Sequence, residues 1–395
     1  MISNNMFTTV HKSPLLSQNA CHEGQVNKTA GRVTSSPSFK NFNFMKIAFL
    51  VPLFFSVPAE AASQQFSENN SLKSRASFFD NFNTSQELFS APTITIVKGP
   101  CEKVEAVEWD EAPYLIEGNT FIDCRSLSRQ IADRTRAMVN EINFVSRGVK
   151  SRIADKLGYP NDYITPSADG NYWKKDNEGL YVLIHGLDGH PSMWDGHAKS
   201  LKERHPNAEV RQPYVLQKGQ TSLKNAAKPI SDMVRNYLAS HTGHPVTLIG
   251  VSNGGRIAGF IEYDLRDTPS TIKVSNIAGV HFGTGIVNVL NQLGISRFVM
   301  SEPIREEMPY GSQTAQELLD AEREPLDPGI KRDFEFYATT EDSRLWPYSV
   351  ALPILGQGER HYIVHGEEHS SIIDRVRDHQ LDNAVLWMSR HKVIS

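Results

Sequence analysis

Gly250-Val251-Ser252-Asn253-Gly254 is the stretch of sequence that decides the fold. It follows an apolar run at residues 246–249, which predicts a buried parallel strand, and a helical pattern starts near Gly255. A strand, a turn with the pattern G-x-S-x-G and a helix are the context of a nucleophile elbow. Side chains two positions before or after the serine would collide with the neighbouring strand and helix. The stretch therefore predicts Ser252 as an exposed nucleophile, with Gly250 and Gly254 as elbow glycines.

A second apolar strand, at residues 181–184, runs into His185-Gly186-Leu187-Asp188-Gly189. Acyl transfer needs backbone N–H groups aimed at the developing oxyanion. We expect one donor to be Asn253, directly after the nucleophile, and the other to be Leu187 in this loop. Taken alone, His185-Gly186 would equally well be a strand end with a turn glycine. The elbow downstream favours the catalytic interpretation.

Two later strands are followed by an acid and a histidine. Residues 333–339 alternate between polar and apolar side chains, which predicts a strand, and Glu341-Asp342 follow it. Residues 361–364 predict the final strand, and the loop after it ends at His369 and Ser370. The chain order is therefore Ser, Asp, His. We predict that Ser252 attacks a carbonyl, His369 takes and returns the proton, and Asp342 orients the imidazole.

Two of these assignments have rivals. Glu341 is adjacent to Asp342, and His365 precedes His369. We prefer Asp342 because an apolar residue and then a proline follow it shortly, as in the acid loop of serine hydrolases with this chain order. We prefer His369 because His365 lies at a strand end, where a histidine is more often structural.

From about residue 181 to the C-terminus, the chain resembles α/β-hydrolases of the lipase and esterase type. His185 to Gly189 followed by Trp194 resembles the oxyanion loop and first helix of bacterial triacylglycerol lipases. Residues 307–312 with Leu318-Leu319 resemble a segment of their cap, and residues 364–370 resemble their histidine loop. The elbow departs from the family pattern, which has histidine before the serine and methionine or glutamine after it. Val251 and Asn253 stand there instead, which leaves lipid and other esters open as substrates.

The expected fold class is α/β. The resemblance implies an α/β-hydrolase fold with a mostly parallel, doubly wound sheet and a helical cap insertion at about residues 283–329. We expect the catalytic domain to span residues 176–395 and an N-terminal helical extension to span residues 93–175. Residues 62–92 are rich in Ser, Asn, Gln and Phe and predict a disordered leader or linker.

The N-terminal region predicts export. Residues 47–57 are almost wholly apolar, Lys46 precedes them and Ala59-Glu60-Ala61 follows. This pattern is typical of a secretory signal peptide at residues 45–61, and therefore of a periplasmic or secreted protein. Residues 1–44 are polar, so either translation starts at Met45 or they form a disordered extension.

Composition excludes several function classes. The 395 residues carry a net charge of −4 with 39% hydrophobic residues, so a globular core is feasible and nucleic acid is not expected as a partner. Neither the His and Cys spacing nor the glycine patterns indicate a metal site or a nucleotide site, and we expect no metal and no cofactor. The expected partner is a small-molecule or lipid ester, with transient contact to a membrane or lipid surface allowed. The oligomeric state is left open.

Cysteine usage agrees with export. Cleavage after Ala61 would remove Cys21 and leave Cys101 and Cys124, an even pair suited to one disulfide. The alternative is that both are unpaired and buried as small hydrophobic residues.

Residues 126–157 predict a long amphipathic helix, with Ser126 as its N-cap and Gly158 as its end. Its apolar positions are Leu127, Ile131, Met138, Ile142, Val145, Val149, Ile153 and Leu157. Such a stripe can pair with a partner helix, but we expect it to pack against the hydrolase core.

The leading functional hypothesis is an exported serine hydrolase that cleaves carboxylic esters, lipid or other acyl esters, through an acyl-serine intermediate. A non-catalytic binding protein of the same fold is a competing hypothesis, because fold alone does not imply activity. An acyltransferase that uses the same triad is the third, because acceptor choice depends on water access to the site. The complete set of oxyanion loop, nucleophile, acid and histidine favours an enzyme.

Overall fold

The computed structural model describes residues 93–98, 114–117, 119–156, 163, 173–174, 176–327 and 329–392. The predicted extension, signal peptide and linker at residues 1–92 lie outside these ranges. The strands are β1 (Thr95–Lys98), β2 (Tyr114–Glu117), β3 (Thr120–Asp123), β4 (Leu180–Ile184), β5 (Glu209–Arg211), β6 (Val246–Val251), β7 (Thr271–Ile277), β8 (Lys331–Thr339) and β9 (Arg360–Val364). The helices are α1 (Leu127–Lys156), α2 (Asp195–Arg204), α3 (Leu223–Ser240), α4 (Asn253–Asp264), α5 (Gly285–Gln292), α6 (Ser296–Val299), α7 (Glu302–Glu307), α8 (Gln313–Arg323) and α9 (Ile372–Arg390). Short 3-10 helices cover Pro191–Trp194, Leu216–Gly219 and Tyr348–Ala351.

The main sheet has six parallel strands in the order β5-β4-β6-β7-β8-β9. The chain moves outward from β4 to β5, then returns past β4 to β6 and continues in the opposite direction. Because right-handed crossovers in opposite directions place their helices on opposite faces, the sheet is doubly wound. The predicted fold class is confirmed.

Burial explains why the central strands are almost wholly apolar. Every residue of β4 and β6 is buried, as expected for strands covered by helices on both faces. Helices α3 and α4 pack together against the sheet, and so do α2 and α9. All six strands end at the same edge, so the loops that follow β4, β6, β8 and β9 meet there.

The insertion predicted as a cap lies between β7 and β8 and consists of the helices α5 to α8. A carboxylate of α7 anchors it to the core: Glu307 Oε2 accepts a hydrogen bond from the Leu223 N–H at 2.8 Å and lies 3.6 Å from the guanidinium of Arg256. Arg256 is wholly buried in α4, and burial lowers its pKa to about 10. This insertion is therefore tied to the helix that follows Ser252.

The N-terminal extension adds a small sheet and a long helix. Strands β1, β3 and β2 pair in that order, and the Ile94 N–H donates to the Leu352 carbonyl of the catalytic domain at 3.2 Å. Helix α1 begins where predicted, because the Ser126 hydroxyl accepts the Arg129 N–H at 3.3 Å as an N-cap. The predicted end at Gly158 lies outside the described residues.

The predicted packing of α1 was wrong. The apolar stripe faces away from the core, with Leu127 65% exposed and Ile131 60% exposed. The opposite, polar side of the helix packs on the catalytic domain instead, because that domain offers polar loops where the helix lies. Of the helices in the described ranges, none combines the length and the apolar character needed to cross a membrane.

Candidate active site

Ser252 lies at the sharp turn between β6 and α4. Its φ of 56° and ψ of −126° are strained values for a residue with a side chain. The two elbow glycines make this turn sterically feasible. A Cβ on Gly250 would lie 2.3 Å from the Gly254 carbonyl oxygen, and one on Gly254 would lie 2.2 Å from the Ile184 carbonyl oxygen. The steric reason for a glycine at both positions, predicted from the sequence, therefore agrees with the geometry.

Gly254→Ala is expected to destabilise the protein by roughly 3 kcal/mol or more, because the new methyl group meets backbone that cannot move aside. The matched control is Gly148→Ala in α1, where a Cβ has no atom within 4 Å. That change should leave stability unchanged or raise it by about 0.5–1 kcal/mol. Urea unfolding monitored by circular dichroism measures both, and equal stabilities for the two variants would contradict the steric account.

The predicted oxyanion loop lies against the nucleophile. A Cβ on Gly186 would lie 2.9 Å from the Ser252 Cβ, so this loop approaches the serine as closely as backbone can. Among the hydrogen bonds of the described residues, none uses the backbone N–H of Leu187 or of Asn253 as a donor. Both residues also border Gly219: a Cβ there would lie 3.1 Å from the side-chain nitrogen Nδ2 of Asn253 and 3.5 Å from Leu187 Cα. Leu187 and Asn253 thus flank Ser252 from two loops, each with a backbone N–H that donates no hydrogen bond among the described residues.

His185 shapes this loop from beneath. Its Nε2 accepts the Val215 N–H at 3.0 Å, and its Nδ1 lies 2.9 Å from the Gly186 carbonyl oxygen. The ring is wholly buried. A histidine with both nitrogens engaged by backbone holds the loop in place and has no free nitrogen for chemistry.

Asp342 and His369 form a hydrogen-bonded pair. The Asp342 Oδ2 atom lies 2.8 Å from His369 Nδ1, and both side chains are buried. Asp342 Oδ1 accepts the backbone N–H groups of Arg344 and Leu345 at 2.8 and 2.9 Å. These bonds fix the carboxylate, so the ring can present its other nitrogen, Nε2, as the acceptor for a proton.

The structure joins two of the three predicted triad residues. Among the hydrogen bonds of the described residues, none links the Ser252 hydroxyl to His369. All three residues follow strands β6, β8 and β9 at the same edge of the sheet. Catalytic hydrogen bonds are often long without substrate and shorten when it binds, which is compatible with this arrangement.

Both rivals are engaged elsewhere. Glu341 Oε1 lies 2.6 Å from the buried guanidinium of Arg125, and its Oε2 accepts the Gly366 N–H at 2.7 Å. His365 Nδ1 lies 2.6 Å from the Thr340 hydroxyl, and burial lowers the pKa of this histidine to about 3. An acid held by an arginine and a histidine that stays neutral are structural, which agrees with the choice of Asp342 and His369.

The polar face of α1 is bonded to the two loops that carry Asp342 and His369. Arg134 donates to the Glu341 carbonyl and lies 3.3 Å from the Glu368 carboxylate. Asn140 Nδ2 donates to Glu367 at 2.9 Å. The N-terminal extension therefore contacts the loops that carry Asp342 and His369 directly.

Glu141 of α1 contacts both loops at once. Its Oε2 accepts the backbone N–H groups of Ser370 and Ser371 at 3.1 and 3.0 Å, directly after His369. Its Oε1 accepts a hydrogen bond from Arg344 at 2.6 Å, and the Arg344 N–H is one of the donors to Asp342. Glu141 is therefore a positioning residue for the Asp342–His369 pair.

Glu141→Ala is expected to lower kcat roughly tenfold or more with KM for a small soluble ester unchanged, because loosened loops misplace the imidazole. Glu141→Gln keeps an acceptor oxygen and should recover part of the loss. The control is Glu203→Gln on the exposed side of α2, which should keep the parent kcat. Steady-state kinetics on p-nitrophenyl acetate measure all three, and a parent-like kcat for the alanine variant would contradict this role.

Sequence analysis missed Glu141, Arg134 and Glu368. The polar positions of α1 recur at helical spacing away from the apolar stripe, which indicates a second, polar face of the helix. A polar face is ordinarily assigned to solvent, so the pattern alone did not predict contact with the site.

Cys124 is disulfide-bonded, and its predicted partner Cys101 lies outside the described residues. The pairing itself stays a prediction. Within the described ranges, no group of three or more His, Cys, Asp or Glu side chains could hold a metal ion.

Comparison with known proteins gives similarities in structure only. No family model matches the chain, and no curated protein matches it. An esterase from Pyrobaculum calidifontis is 16% identical with a TM-score of 0.42, covering 65% of this chain and 93% of its own. Aspergillus fumigatus lipase B is 11% identical with a TM-score of 0.38, covering 51% of each chain.

Phospholipase PlaB from Legionella pneumophila is also similar, with 15% identity and a TM-score of 0.32. The match covers 41% of this chain and 40% of the phospholipase, so it spans well under half of that protein.

The topology of the chain itself carries the classification. Six parallel strands are doubly wound, a strained serine stands at the turn from β6 to α4, and a helical cap lies between β7 and β8. The chain therefore has the α/β-hydrolase fold.

Proposed function

We propose that this protein is a serine hydrolase that cleaves carboxylic esters through an acyl-serine intermediate. The observation that carries the proposal is the Asp342–His369 hydrogen bond at the same sheet edge as the strained Ser252. An elbow of this kind costs backbone strain, and such strain is concentrated at functional sites. An acid, an oriented imidazole and a nucleophile supply the parts that acyl transfer needs.

In the first half-reaction, Ser252 Oγ attacks the ester carbonyl while His369 Nε2 takes the hydroxyl proton. The N–H groups of Leu187 and Asn253 hold the negative oxygen of the tetrahedral intermediate. The intermediate collapses when the carbonyl–alkoxide bond breaks, and His369 gives the proton to the leaving alcohol. Asp342 stabilises the imidazolium throughout and stays ionised.

In the second half-reaction, water attacks the acyl-serine carbonyl and His369 takes a proton from it. Collapse of the second tetrahedral intermediate returns the proton to Ser252 and releases the carboxylic acid. An alcohol in place of water would give acyl transfer by the same steps. Water is proposed as the acceptor, which makes the protein a hydrolase.

We propose lipid or other acyl esters as the substrates. The cap supports this choice, because Leu293 and Phe298 at the end of α5 and in α6 are 57% and 69% exposed. Apolar side chains on the outside of a cap favour contact with an apolar substrate or surface. Export through a signal peptide at residues 45–61 remains a separate prediction from sequence.

The test is ester hydrolysis by the full chain on p-nitrophenyl acetate, butyrate and decanoate, with a fluorophosphonate label followed by peptide mass mapping. We expect hydrolysis of at least one ester and a label on the peptide that contains Ser252. A rate that rises with acyl length would support lipid esters. A folded protein that neither turns over nor takes the label would overturn the proposal and favour the binding-protein hypothesis.

A further inference from the structure

The segment between β5 and α3 lies against both predicted oxyanion donors. A Cβ on Gly219 would lie 3.5 Å from Leu187 Cα and 3.1 Å from Asn253 Nδ2. The two residues before this glycine, Gln217 and Lys218, have left-handed φ angles of 49° and 55°. Left-handed backbone at residues with a side chain costs free energy and persists only where the surrounding contacts hold it. This segment is therefore held in one conformation beside the site.

The predicted oxyanion loop is anchored on both sides of Leu187. Before it, the Gly186 carbonyl accepts the Gly189 N–H at 3.0 Å. After it, the Asp188 N–H donates to the Lys218 carbonyl at 2.8 Å, and Asp188 itself has a left-handed φ of 51°. A rigid peptide between two anchored residues has little room to rotate, so the direction of the Leu187 N–H depends on these anchors.

Gln220 bonds the side chain of Asp188 to the insertion between β7 and β8. Its Nε2 donates to Asp188 Oδ2 at 3.0 Å, and its Oε1 accepts the Ser301 N–H at 3.0 Å. An ionised carboxylate only accepts and a backbone N–H only donates, so the two partners fix which way the amide points. A glutamine satisfies both partners, whereas a glutamate would place an oxygen against the Asp188 carboxylate.

The insertion partner of this amide is itself fixed to the elbow helix. Ser301 is the N-cap of α7, and Glu307 ends the same helix. Glu307 Oε2 accepts the Leu223 N–H at 2.8 Å and lies 3.6 Å from the guanidinium of Arg256, which is wholly buried in α4. Asn253 is the first residue of α4. Helix α7 is therefore tied to the element of one predicted donor directly and to the loop of the other through the amide.

We propose that Gln220 is a positioning residue for the oxyanion donors. Its amide holds Asp188 against the insertion and thereby directs the Leu187 N–H at the oxygen of the tetrahedral intermediate. This role rests on the proposed ester hydrolysis at Ser252. Because that oxygen becomes negative only as the nucleophile attacks, the placement of the donors affects kcat more than KM.

The first experiment replaces the donor by an acceptor. Gln220→Glu keeps an oxygen for the Ser301 N–H and sets a second carboxylate against Asp188, and both are ionised at about pH 8. We expect kcat for p-nitrophenyl butyrate to fall roughly tenfold or more with KM unchanged, because the displaced loop turns a donor away from the oxyanion. A parent-like kcat would overturn the proposal.

The second experiment reverses the direction of the same bond. In the double variant Gln220→Glu/Asp188→Asn, the new amide at position 188 donates to the new carboxylate at position 220, so both positions are paired again. This variant should recover most of the kcat that Gln220→Glu loses. A folded double variant as slow as the single one would count against the proposal and overturn it.

A boronic acid separates donor placement from a loss of folded protein. When phenylboronic acid binds, Ser252 Oγ forms a bond to boron while its proton passes to His369. The tetrahedral anion that results has an oxygen at the predicted donors. Its inhibition constant should rise in Gln220→Glu by about the factor by which kcat falls. Partial unfolding lowers kcat and leaves this constant unchanged, so that result would overturn the proposal.

The matched control makes the same chemical change elsewhere on the insertion. In α8, Gln313 Nε2 donates to Glu317 Oε1 at 2.7 Å, and both residues are exposed. Gln313→Glu therefore also sets two carboxylates against each other. This variant should keep the parent kcat and the parent inhibition constant. Equal losses in Gln313→Glu and Gln220→Glu would show an effect of added charge alone and would overturn the proposal.

A further variant covers the case in which Gln220→Glu does not fold by circular dichroism. Gln220→Ala removes both bonds without adding a charge, and it should show the same joint change in kcat and inhibition constant. An active parent whose Gln220 variants keep its kcat overturns this role and leaves the proposed function standing. A folded parent that neither hydrolyses esters nor takes the fluorophosphonate label overturns the proposed function and the role of Gln220 with it.

Discussion

Ser252→Ala is expected to lower kcat for p-nitrophenyl esters by roughly 10⁴–10⁶-fold, because the proposed acyl-enzyme forms on the hydroxyl that this change removes. The change removes one oxygen from the strained elbow and leaves both elbow glycines and the Asp342–His369 pair in place. Binding of substrate and the oxyanion donors remain, so a small residual rate above water is expected.

The matched control for this change is Ser240→Ala, at the end of α3. Among the residues that the structure describes, the Ser240 hydroxyl bonds to groups in its own helix region, with 3.0 Å to the Asn236 carbonyl oxygen. This variant should keep the parent kcat and the fluorophosphonate label. Retention of activity or label by the Ser252 variant, with parent-like circular dichroism, would show that the nucleophile is another residue.

Asp342→Asn is the second change with a large expected effect, roughly 10⁴-fold in kcat. An asparagine can donate to His369 Nδ1 and thereby stabilise the wrong tautomer, and it cannot stabilise an imidazolium by charge. The unfolding free energy should change much less than activity, because the two backbone N–H donors to Oδ1 keep an acceptor. Steady-state kinetics with urea unfolding separate the two effects.

The neighbouring acid provides the control for Asp342. Glu341→Gln removes a buried carboxylate from the Arg125 cluster and should cost about 1–3 kcal/mol of stability, with kcat within tenfold of the parent below the unfolding transition. Asp342→Asn is therefore expected to lose mainly catalytic rate, and Glu341→Gln is expected to lose mainly stability. The reverse pattern would exchange the roles of Glu341 and Asp342.

Much of the candidate site could be predicted because its signals are local. The elbow is a steric problem within five residues, and its glycines are recognisable without a structure. The order of serine, acid and histidine follows the order of the strands, and parallel strands bring their carboxyl ends to one edge. Asp342 was preferred to Glu341 because of the apolar residue and the proline that follow it, and His369 was preferred to His365 because of its loop position. The observed hydrogen bonds agree with both choices.

The position of α1 could not be predicted in the same way. The helix and its N-cap at Ser126 followed from spacing and local hydrogen bonding. Its orientation depends on what it meets, and the loop after β9 presents carboxylates and backbone N–H groups to it at residues 367–371. An apolar stripe in the sequence indicates which face of a helix is apolar, but it does not indicate which face packs against the rest of the protein. The prediction that the stripe packs on the core was therefore wrong.

The sequence by itself determined the elements with short-range causes: the strand-turn-helix at Ser252, the buried parallel strands, the helix at residues 127–156 and the order of the catalytic candidates. The tertiary structure alone decided which acid contacts which histidine and which face of α1 is outward. It also brought Glu141 to both catalytic loops. The contacts of α1 join residues more than 200 positions apart, and the Asp342–His369 contact joins two loops 27 positions apart. Burial and hydrogen-bond pairing between separate elements are set by the whole fold and not by any local pattern.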